Sequence, residues 1–187
     1  RPRELNTHET EWGFSCMGYE ISGALGIKMA NPNKEVISFV GDGSYLLNNT
    51  DIYSSVITKN KLIIIVCDNG GFAVINRLQL FKGGNEYNNL LKSSNTPGLV
   101  DVDFAKHAES MGAKSEHVNS ISDLEEAFKR AKKSDVTYVI SIKTHAYQWL
   151  EGSAFWDSPT LEIPTTDENK EALKLYKEGK SKQRQGV

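Results

Sequence analysis

The chain has 187 residues, of which 39% are apolar and 25% are charged, and its formal net charge at pH 7 is -2. This composition is typical of a globular protein with a sizeable core, and the near-neutral charge argues against a dedicated nucleic-acid binder. The longest apolar run, residues 62–67, is far shorter than the roughly 20 residues of a membrane-spanning helix, so we expect no membrane insertion.

The cysteines and the first residues bear on where the protein works. Cys16 and Cys67 are too few for a disulfide framework and lie among apolar or small residues. We expect both to be reduced, buried thiols in a cytoplasmic protein. Residues 1–4 include neither an initiator methionine nor the apolar core of a signal peptide, so we expect the chain to be part of a longer protein.

Helix and strand patterns alternate in the first part of the chain. Residues 17–30 carry apolar side chains at helical spacing and predict a helix. Residues 35–40 form a β-branched, apolar run that stops at a glycine-rich turn, which is typical of a buried strand. The same reasoning predicts a helix from residue 44 to about residue 58 and a second buried strand over residues 62–67.

The second part begins with a long segment, residues 71–98, that shows no clean periodicity and is predicted as a loop. After it the predicted elements are a helix over residues 103–111, a strand over 114–118, a helix over 122–133 and a strand over 136–142. This alternation predicts an α/β fold in which a parallel sheet carries helices on both faces.

We expect residues 1–164 to form one domain and residues 165–187 to form a C-terminal helix with a basic tail. Thr165 and Glu168 form a capping box for that helix. For the basic end, a solvated tail is favoured over a contact with a polyanion, because positive charges spread over a flexible segment make a weak site.

Polar, glycine-rich turns follow both of the first two predicted strands, and their residues are Gly41-Asp42-Gly43-Ser44 and Asp68-Asn69-Gly70-Gly71. One βαβ crossover joins these strands, so if they are neighbours their ends lie about 5 Å apart at one edge of the sheet. The side chains of Asp42 and Asn69, with a carbonyl from Gly70 or Gly71, then offer the oxygen ligands that Mg²⁺ bound to a diphosphate requires. Each turn alone is common in proteins without such a ligand.

The two turns and the 24 residues between them resemble the motif of the thiamine diphosphate-dependent enzymes, in which Gly-Asp-Gly is followed at this spacing by Asn-Asn. Asp68 departs from the first Asn of that pair. The resemblance implies that Asp42, the side chain of Asn69 and the carbonyl of Gly71 hold Mg²⁺.

The same resemblance places the diphosphate at Gly43 and Ser44. Gly41 and Gly43 allow a close approach of the backbone, and Ser44 opens a predicted helix whose free N–H groups favour an anion.

The segment Cys16-Met17-Gly18-Tyr19 is similar to the part of this family that receives the pyrimidine ring of the cofactor. The resemblance implies that the backbone of Ser15 and Met17 binds the ring and that the Met17 side chain is the fulcrum that bends the cofactor. An ordinary core position for Met17 is the alternative.

In this family a glutamate from a separate pyrimidine-binding domain, usually on a neighbouring subunit, activates the cofactor. No predicted strand here is followed by a convincing candidate for that glutamate. We therefore expect the chain to be inactive alone, and the full-length protein to be a homo-oligomer.

Over nearly the whole chain to about residue 164, the resemblance extends to the C-terminal part of the hydrolases of myo-inositol catabolism. These enzymes open the ring of a trihydroxycyclohexane-1,2-dione to a 5-deoxy-glucuronate. The segments that carry this resemblance are residues 14–20, 41–46, 71–72, 75–79, 103–106 and 155–157. It implies a cyclic diketone as substrate, with thiamine diphosphate and Mg²⁺ as cofactors.

Several other side chains have two open interpretations. Asn76, Arg77 and Gln79 either face the substrate or are solvated loop residues. The aromatic residues, which either close the site or pack the C-terminal segment, are Trp149, Phe155 and Trp156. The four histidines share no spacing, and none is assigned to catalysis.

Three alternative functions remain at this stage. An acetolactate synthase-like carboligase uses the same pair of turns. A non-catalytic nucleotide-binding module is disfavoured because residues 41–46 lack the third glycine of the dinucleotide fingerprint and residues 23–28 lack the P-loop pattern. A scaffold domain that has lost cofactor binding would not change its ligand affinity when Asp42 is replaced.

Overall fold

The computed structural model describes residues 7–10, 15–96, 98, 100–149 and 160–183. The chain divides into two compact units, the first made of Arg1–Asp68 and Val100–Thr144, the second of Asn69–Leu99 and His145–Val187. In chain order the elements are α1 (Tyr19–Ala30), β1 (Ile37–Gly41), α2 (Asp42–Leu47), α3 (Thr50–Ile57), β2 (Ile63–Asp68), α4 (Ala73–Phe81), a short 3-10 helix (Leu91–Ser93), α5 (Phe104–Ser110), β3 (Lys114–Val118), α6 (Ile121–Lys133), β4 (Tyr138–Lys143) and α7 (Asp167–Ser181).

The first unit is built on a parallel sheet of strand order β1-β2-β4-β3. On one face, α1, α3 and α5 bury a core that includes Ile21, Ile52 and Phe104 against the sheet. On the other face, Ala127 and Ala131 of α6 pack on β2 and β4. The predicted α/β fold with helices on both faces is confirmed, because β2 and β4 are apolar on both sides as central parallel strands must be.

The helix predicted from residue 44 to about residue 58 is two helices, α2 and α3. The chain leaves the helical conformation at Asn48, where φ is -149° and ψ is 76°. Asn49 then caps α3. Asparagine favours such breaks because its side chain competes for backbone hydrogen bonds.

In the second unit, the loop predicted over residues 71–98 contains the nine-residue helix α4. The prediction was wrong because apolar spacing does not mark the buried face of α4: Ala73 and Asn76 are buried, whereas Val74 and Ile75 are exposed. The predicted C-terminal helix is present, although its cap is Thr166, whose hydroxyl accepts from the Asn169 N–H.

No helix among the described residues combines the length and the hydropathy that a bilayer crossing requires. The domain boundary after residue 164 stays a prediction.

An ion pair joins three elements at the β3 edge of the sheet. Arg130 of α6 donates from two nitrogens to Glu116 of β3, at 3.0 and 2.6 Å, and the Tyr138 hydroxyl of β4 donates to the same carboxylate at 2.6 Å. These hydrogen bonds, from Arg130 above all, lower the pKa of Glu116. A carboxylate whose pKa is lowered by folding stabilises the fold above its unfolded pKa of about 4.3, and this stabilisation is lost as the pH falls through the folded value.

We expect Glu116→Gln to lower the free energy of unfolding by about 1 kcal/mol at pH 7, because the charge-assisted bonds are lost. Urea unfolding at pH 7 and pH 3 checks this, and the difference from wild type should shrink at the lower pH. Glu125→Gln, which changes an exposed carboxylate on α6, is the control. A difference that stays constant with pH would contradict this account.

Candidate functional site

The carboxyl ends of β1 and β2 lie side by side. The strands are parallel neighbours, and Gly41 is paired with Cys67 in the register. Asp42 therefore follows the last residue of one strand, and Asp68 is the last residue of the next. The predicted adjacency of the two strand ends is confirmed, and it places Asp42 and Asp68 at one edge of the sheet.

Asp42 is a buried carboxylate, with 4% of its surface exposed, at the first position of α2. Burial raises the pKa of the nearby Cys67 thiol, and the negative charge of Asp42 raises it further. Cys67 is therefore held as a thiol near neutral pH, while Asp42 provides a hard oxygen donor. This chemistry suits Mg²⁺ rather than a metal that prefers thiolates.

Asp68 occupies the position where the family motif usually has asparagine, and the structure shows how its charge is compensated. Lys143, its register partner on β4, places Nζ 2.7 Å from the Asp68 carboxylate and 2.8 Å from that of Asp101. Hydrogen bonds to Asp101 and Asp68 raise the pKa of Lys143. The carboxylate of Asp68 thus has an ion-pair partner within the first unit, which it shares with Asp101.

Gly43 and Ser44 are buried in the first turn of α2. This helix begins at Asp42 rather than at Ser44 and has only six residues, so its dipole is a weaker argument for anion binding than the sequence suggested. Apart from its chain neighbours, no atom of the described residues lies within 4 Å of a Cβ added to Gly41, so the backbone there has room for a ligand. These features fit a diphosphate that approaches the main chain.

The segment that resembles a pyrimidine site forms a turn before α1. The Tyr19 N–H donates to the carbonyl of Cys16 at 3.1 Å, and Gly18 has a left-handed φ of +98°. Ser15 and Met17 are exposed, and 37% of the Met17 surface is accessible, so Met17 is not an ordinary core residue.

The expectation that both cysteines are buried was wrong, because Cys16 is exposed and Cys67 is half-buried; neither forms a disulfide.

Asn69 and Gly71 belong to the second unit. Gly71 has a φ of +140°, and a Cβ added there would lie 2.5 Å from the carbonyl oxygen of Asn89. The Leu91 N–H donates to the Gly70 carbonyl at 2.9 Å, which holds this turn against the following segment. Only glycine fits at position 71. That Asn69 and Gly71 share an ion with Asp42 stays a prediction.

The three polar residues singled out on α4 have different surroundings. The Arg77 guanidinium lies 4.9 Å from the centre of the Trp149 ring, and Gln79 accepts a hydrogen bond from Asn89. Asn76 is 1% exposed and donates to Glu86 at 3.0 Å, but its Oδ1 has no hydrogen-bond partner among the described residues. Asn76 therefore retains a buried acceptor that needs a donor.

The residues of the resemblance that lie outside the described ranges are Phe14, Phe155, Trp156 and Asp157.

Sequence reasoning missed two polar contacts of α2. The hydroxyl of the fully buried Tyr45 lies 2.9 Å from Nδ1 of His107 on α5, and the Asn48 side chain contacts the turn before α1. Neither contact has a signal in residue spacing, because each joins segments far apart in the chain.

Within the residues that the structure describes, no group of three or more His, Cys, Asp and Glu side chains is arranged to hold a metal. An ion at the β1–β2 edge would need further oxygen ligands beside Asp42. A side-chain amide and a carbonyl supply neutral oxygens and a diphosphate supplies anionic ones, so the residues present fit the expected cofactor.

Comparison with known proteins decides the family. A sequence model described as "Thiamine pyrophosphate enzyme, C-terminal TPP binding domain" matches residues 1–142, more than half of the chain. The chain belongs to this family. The Asp42 turn of this thiamine pyrophosphate enzyme domain lies within the matched range.

Its relatives include proteins named 3D-(3,5/4)-trihydroxycyclohexane-1,2-dione hydrolase. The protein from Bacillus licheniformis is 37% identical over 173 residues, covering 92% of this chain and 26% of the relative. The one from Shouchella clausii is 38% identical over 171 residues, covering 90% of this chain and 26% of the relative. The chain thus spans about a quarter of the length of the curated relatives it matches.

A solved structure also matches the domain. The thiamine diphosphate-dependent 4-hydroxybenzoylformate decarboxylase of Rhodococcus jostii RHA1 is 28% identical, with a TM-score of 0.57 over 69% of this chain and 23% of that one.

Proposed function

We propose that this chain is the cofactor-binding part of a thiamine diphosphate- and Mg²⁺-dependent hydrolase that opens the ring of a trihydroxycyclohexane-1,2-dione in myo-inositol catabolism. The similarity to the named hydrolases over about nine tenths of the chain carries the choice of substrate. The family and the buried Asp42 carboxylate support the choice of cofactor.

Mg²⁺ is held by Asp42, by the side chain of Asn69 and by the carbonyl of Gly71 in this proposal. Asp42 is the charged member of the set, and it lies where β1 and β2 end together. The positive φ angle of Gly71 supports the assignment, because it lets the chain turn sharply just after Asn69.

The diphosphate lies along the backbone of Gly41, Gly43 and Ser44. The pyrimidine ring binds to the backbone of Ser15 and Met17, with the exposed Met17 side chain as its fulcrum. When bound, thiamine diphosphate supplies a nucleophilic carbon for attack on a carbonyl and an electron sink for the charge that results.

In the net reaction, water is added across the broken ring bond: one carbon takes the hydroxyl and becomes a carboxylic acid, and the other takes the hydrogen. The substrate is a polyhydroxylated ring, so its hydroxyl groups are hydrogen-bond donors. We assign Asn76 to one of them, because its buried Oδ1 is an acceptor without a partner among the described residues.

The remaining parts of the proposal concern the whole protein. The activating glutamate comes from a pyrimidine-binding domain of the same or a neighbouring subunit, and the full-length protein is a homo-oligomer in the cytoplasm. The substrate is a small molecule, with no role for nucleic acid or membrane.

The test is an assay of the full-length protein with the cyclic dione and with pyruvate, each with thiamine diphosphate and Mg²⁺. We expect ring opening of the dione and no activity when either cofactor is left out. Acetolactate formation without ring opening would replace the proposed substrate by that of a carboligase.

A further inference from the structure

Asn48 contacts both of the segments assigned to the cofactor within the first unit. Its backbone N–H donates to the carbonyl of Ser44 at 3.3 Å and ends α2. Its side-chain Nδ2 lies 2.5 Å from Oγ of Ser22 and 3.4 Å from the carbonyl oxygen of Gly18. One residue is therefore hydrogen-bonded to the helix that starts with Asp42 and to the turn of residues 15–18, which we name the pyrimidine turn.

The two segments are in close contact at this point. Gly18 has a φ of +98°, and a Cβ added to it would lie 2.7 Å from Cβ of Asn48. A side chain at position 18 would push Asn48, and α2 with it, away from the pyrimidine turn. The close contact at Gly18 and the hydrogen bonds of Asn48 thus both hold the pyrimidine turn near the end of α2.

The needs of α1 do not account for this contact. Gly18 is the N-cap residue of α1, and the carbonyl of an N-cap residue already accepts the first hydrogen bond of its helix. The Asn48 side chain therefore adds a second donor to a carbonyl that the helix satisfies. Together with the bond to Ser22 of α1, it ties the turn and the first part of α1 to the end of α2.

We infer that Asn48 is a positioning residue that sets the distance between the pyrimidine turn and α2. The inference rests on the proposed function, in which these two segments bind opposite ends of one cofactor. Because the two ends of the cofactor are covalently joined, it would reach both segments only over a limited range of separations, and a shift of one segment against the other would weaken binding of the whole molecule.

The experiment compares a ligand that spans both segments with one that engages only α2. The probes are thiamine diphosphate and inorganic pyrophosphate, each titrated with Mg²⁺ into the full-length protein by calorimetry. Asn48→Asp keeps the shape of the side chain but removes the N–H donor. Asn49→Ala is the matched control, because Asn49 is the neighbouring half-buried asparagine and its side chain bonds only locally, to the carbonyl of Leu46 at 3.4 Å.

We expect Asn48→Asp to weaken thiamine diphosphate about tenfold, the loss of one to two hydrogen bonds, while pyrophosphate affinity changes less than about twofold. Asn49→Ala should leave both affinities at the wild-type value. Equal weakening of both ligands would show that Asn48 acts on α2 alone and would overturn the inference. No weakening of either ligand would overturn it as well.

Hydrogen exchange of the ligand-free chain separates this inference from the proposed function. Amides of residues 15–22 should exchange about tenfold faster in Asn48→Asp than in wild type, and at the wild-type rate in Asn49→Ala. If wild type binds neither probe, the cofactor assignment fails and this exchange result decides the positioning role by itself. Unchanged exchange would refute the positioning role even if both probes bind.

Discussion

Asp42→Ala is expected to weaken Mg²⁺-dependent binding of thiamine diphosphate by at least about 100-fold, since even changes outside the ligand shell of a metal cost 10- to 100-fold. Asp42 is the charged member of the proposed ligand set, and the other protein ligands are a neutral amide and a neutral carbonyl. Without the carboxylate, the ion would have to leave water for neutral oxygens and the diphosphate alone. Titration calorimetry of the cofactor with and without Mg²⁺ measures the loss.

Two further variants show whether the charge or the fold is responsible. Asp42→Asn keeps the size of the side chain, and we expect it to lose affinity as Asp42→Ala does while unfolding within about 1 kcal/mol of wild type. Asp51→Asn changes a half-exposed carboxylate in the first turn of α3 and should bind normally. Wild-type affinity in Asp42→Ala would rule out Asp42 as a ligand of the ion, whereas failure of the wild-type protein itself to bind would favour a domain that has lost cofactor binding.

The parts of the fold that sequence reasoning predicted well are those whose cause is local. The β2 strand is a continuous run of buried apolar residues, as a central parallel strand requires. The N-cap residues of α5 and α6 are Asp103 and Ser120. The Asp103 carboxylate accepts a hydrogen bond from the Lys106 N–H, and the Ser120 hydroxyl accepts one from the Asp123 N–H. Such runs and caps can be recognised within about ten residues of sequence.

The helix α4 was missed because its environment depends on distant chain. Val74 and Ile75 are exposed on it, and the polar Asn76 is buried. A pattern of apolar spacing indicates the buried face only when that face is apolar. Here the buried polar residue is the one that the proposed function uses, and functional positions are where local rules fail most often.

The compensation at Asp68 also lies beyond local reasoning. Lys143 is 75 positions further along the chain, and it meets Asp68 only because the register of β2 and β4 pairs the two residues. From the sequence alone, Asp68 was therefore an unexplained departure from the Asn-Asn pair of the family motif. In the fold, the added carboxylate has a lysine as its ion-pair partner, which Asp101 shares.

The largest effect on stability is expected at Tyr45, which anchors the helix that carries Asp42. Tyr45 is fully buried, whereas the two following residues of α2, Leu46 and Leu47, are exposed. Its ring packs edge-on against Phe104, with 5.1 Å between the ring centres. A six-residue helix has little stability of its own, and Tyr45 is the large apolar side chain that α2 contributes to the core.

Tyr45→Ala should lower the free energy of unfolding by about 3–5 kcal/mol, the usual cost of removing a buried aromatic ring, and should abolish cofactor binding. Tyr45→Phe keeps the packing and loses only the hydrogen bond to His107, so we expect a loss of about 1 kcal/mol with binding retained. Burial raises the pKa of Tyr45, so the hydroxyl remains protonated near neutral pH and can donate to Nδ1. Urea unfolding and cofactor titration of the two variants give the comparison. If the alanine variant unfolds at the wild-type urea midpoint, other contacts hold α2 in place. The prediction that Tyr45 positions Asp42 would then be wrong.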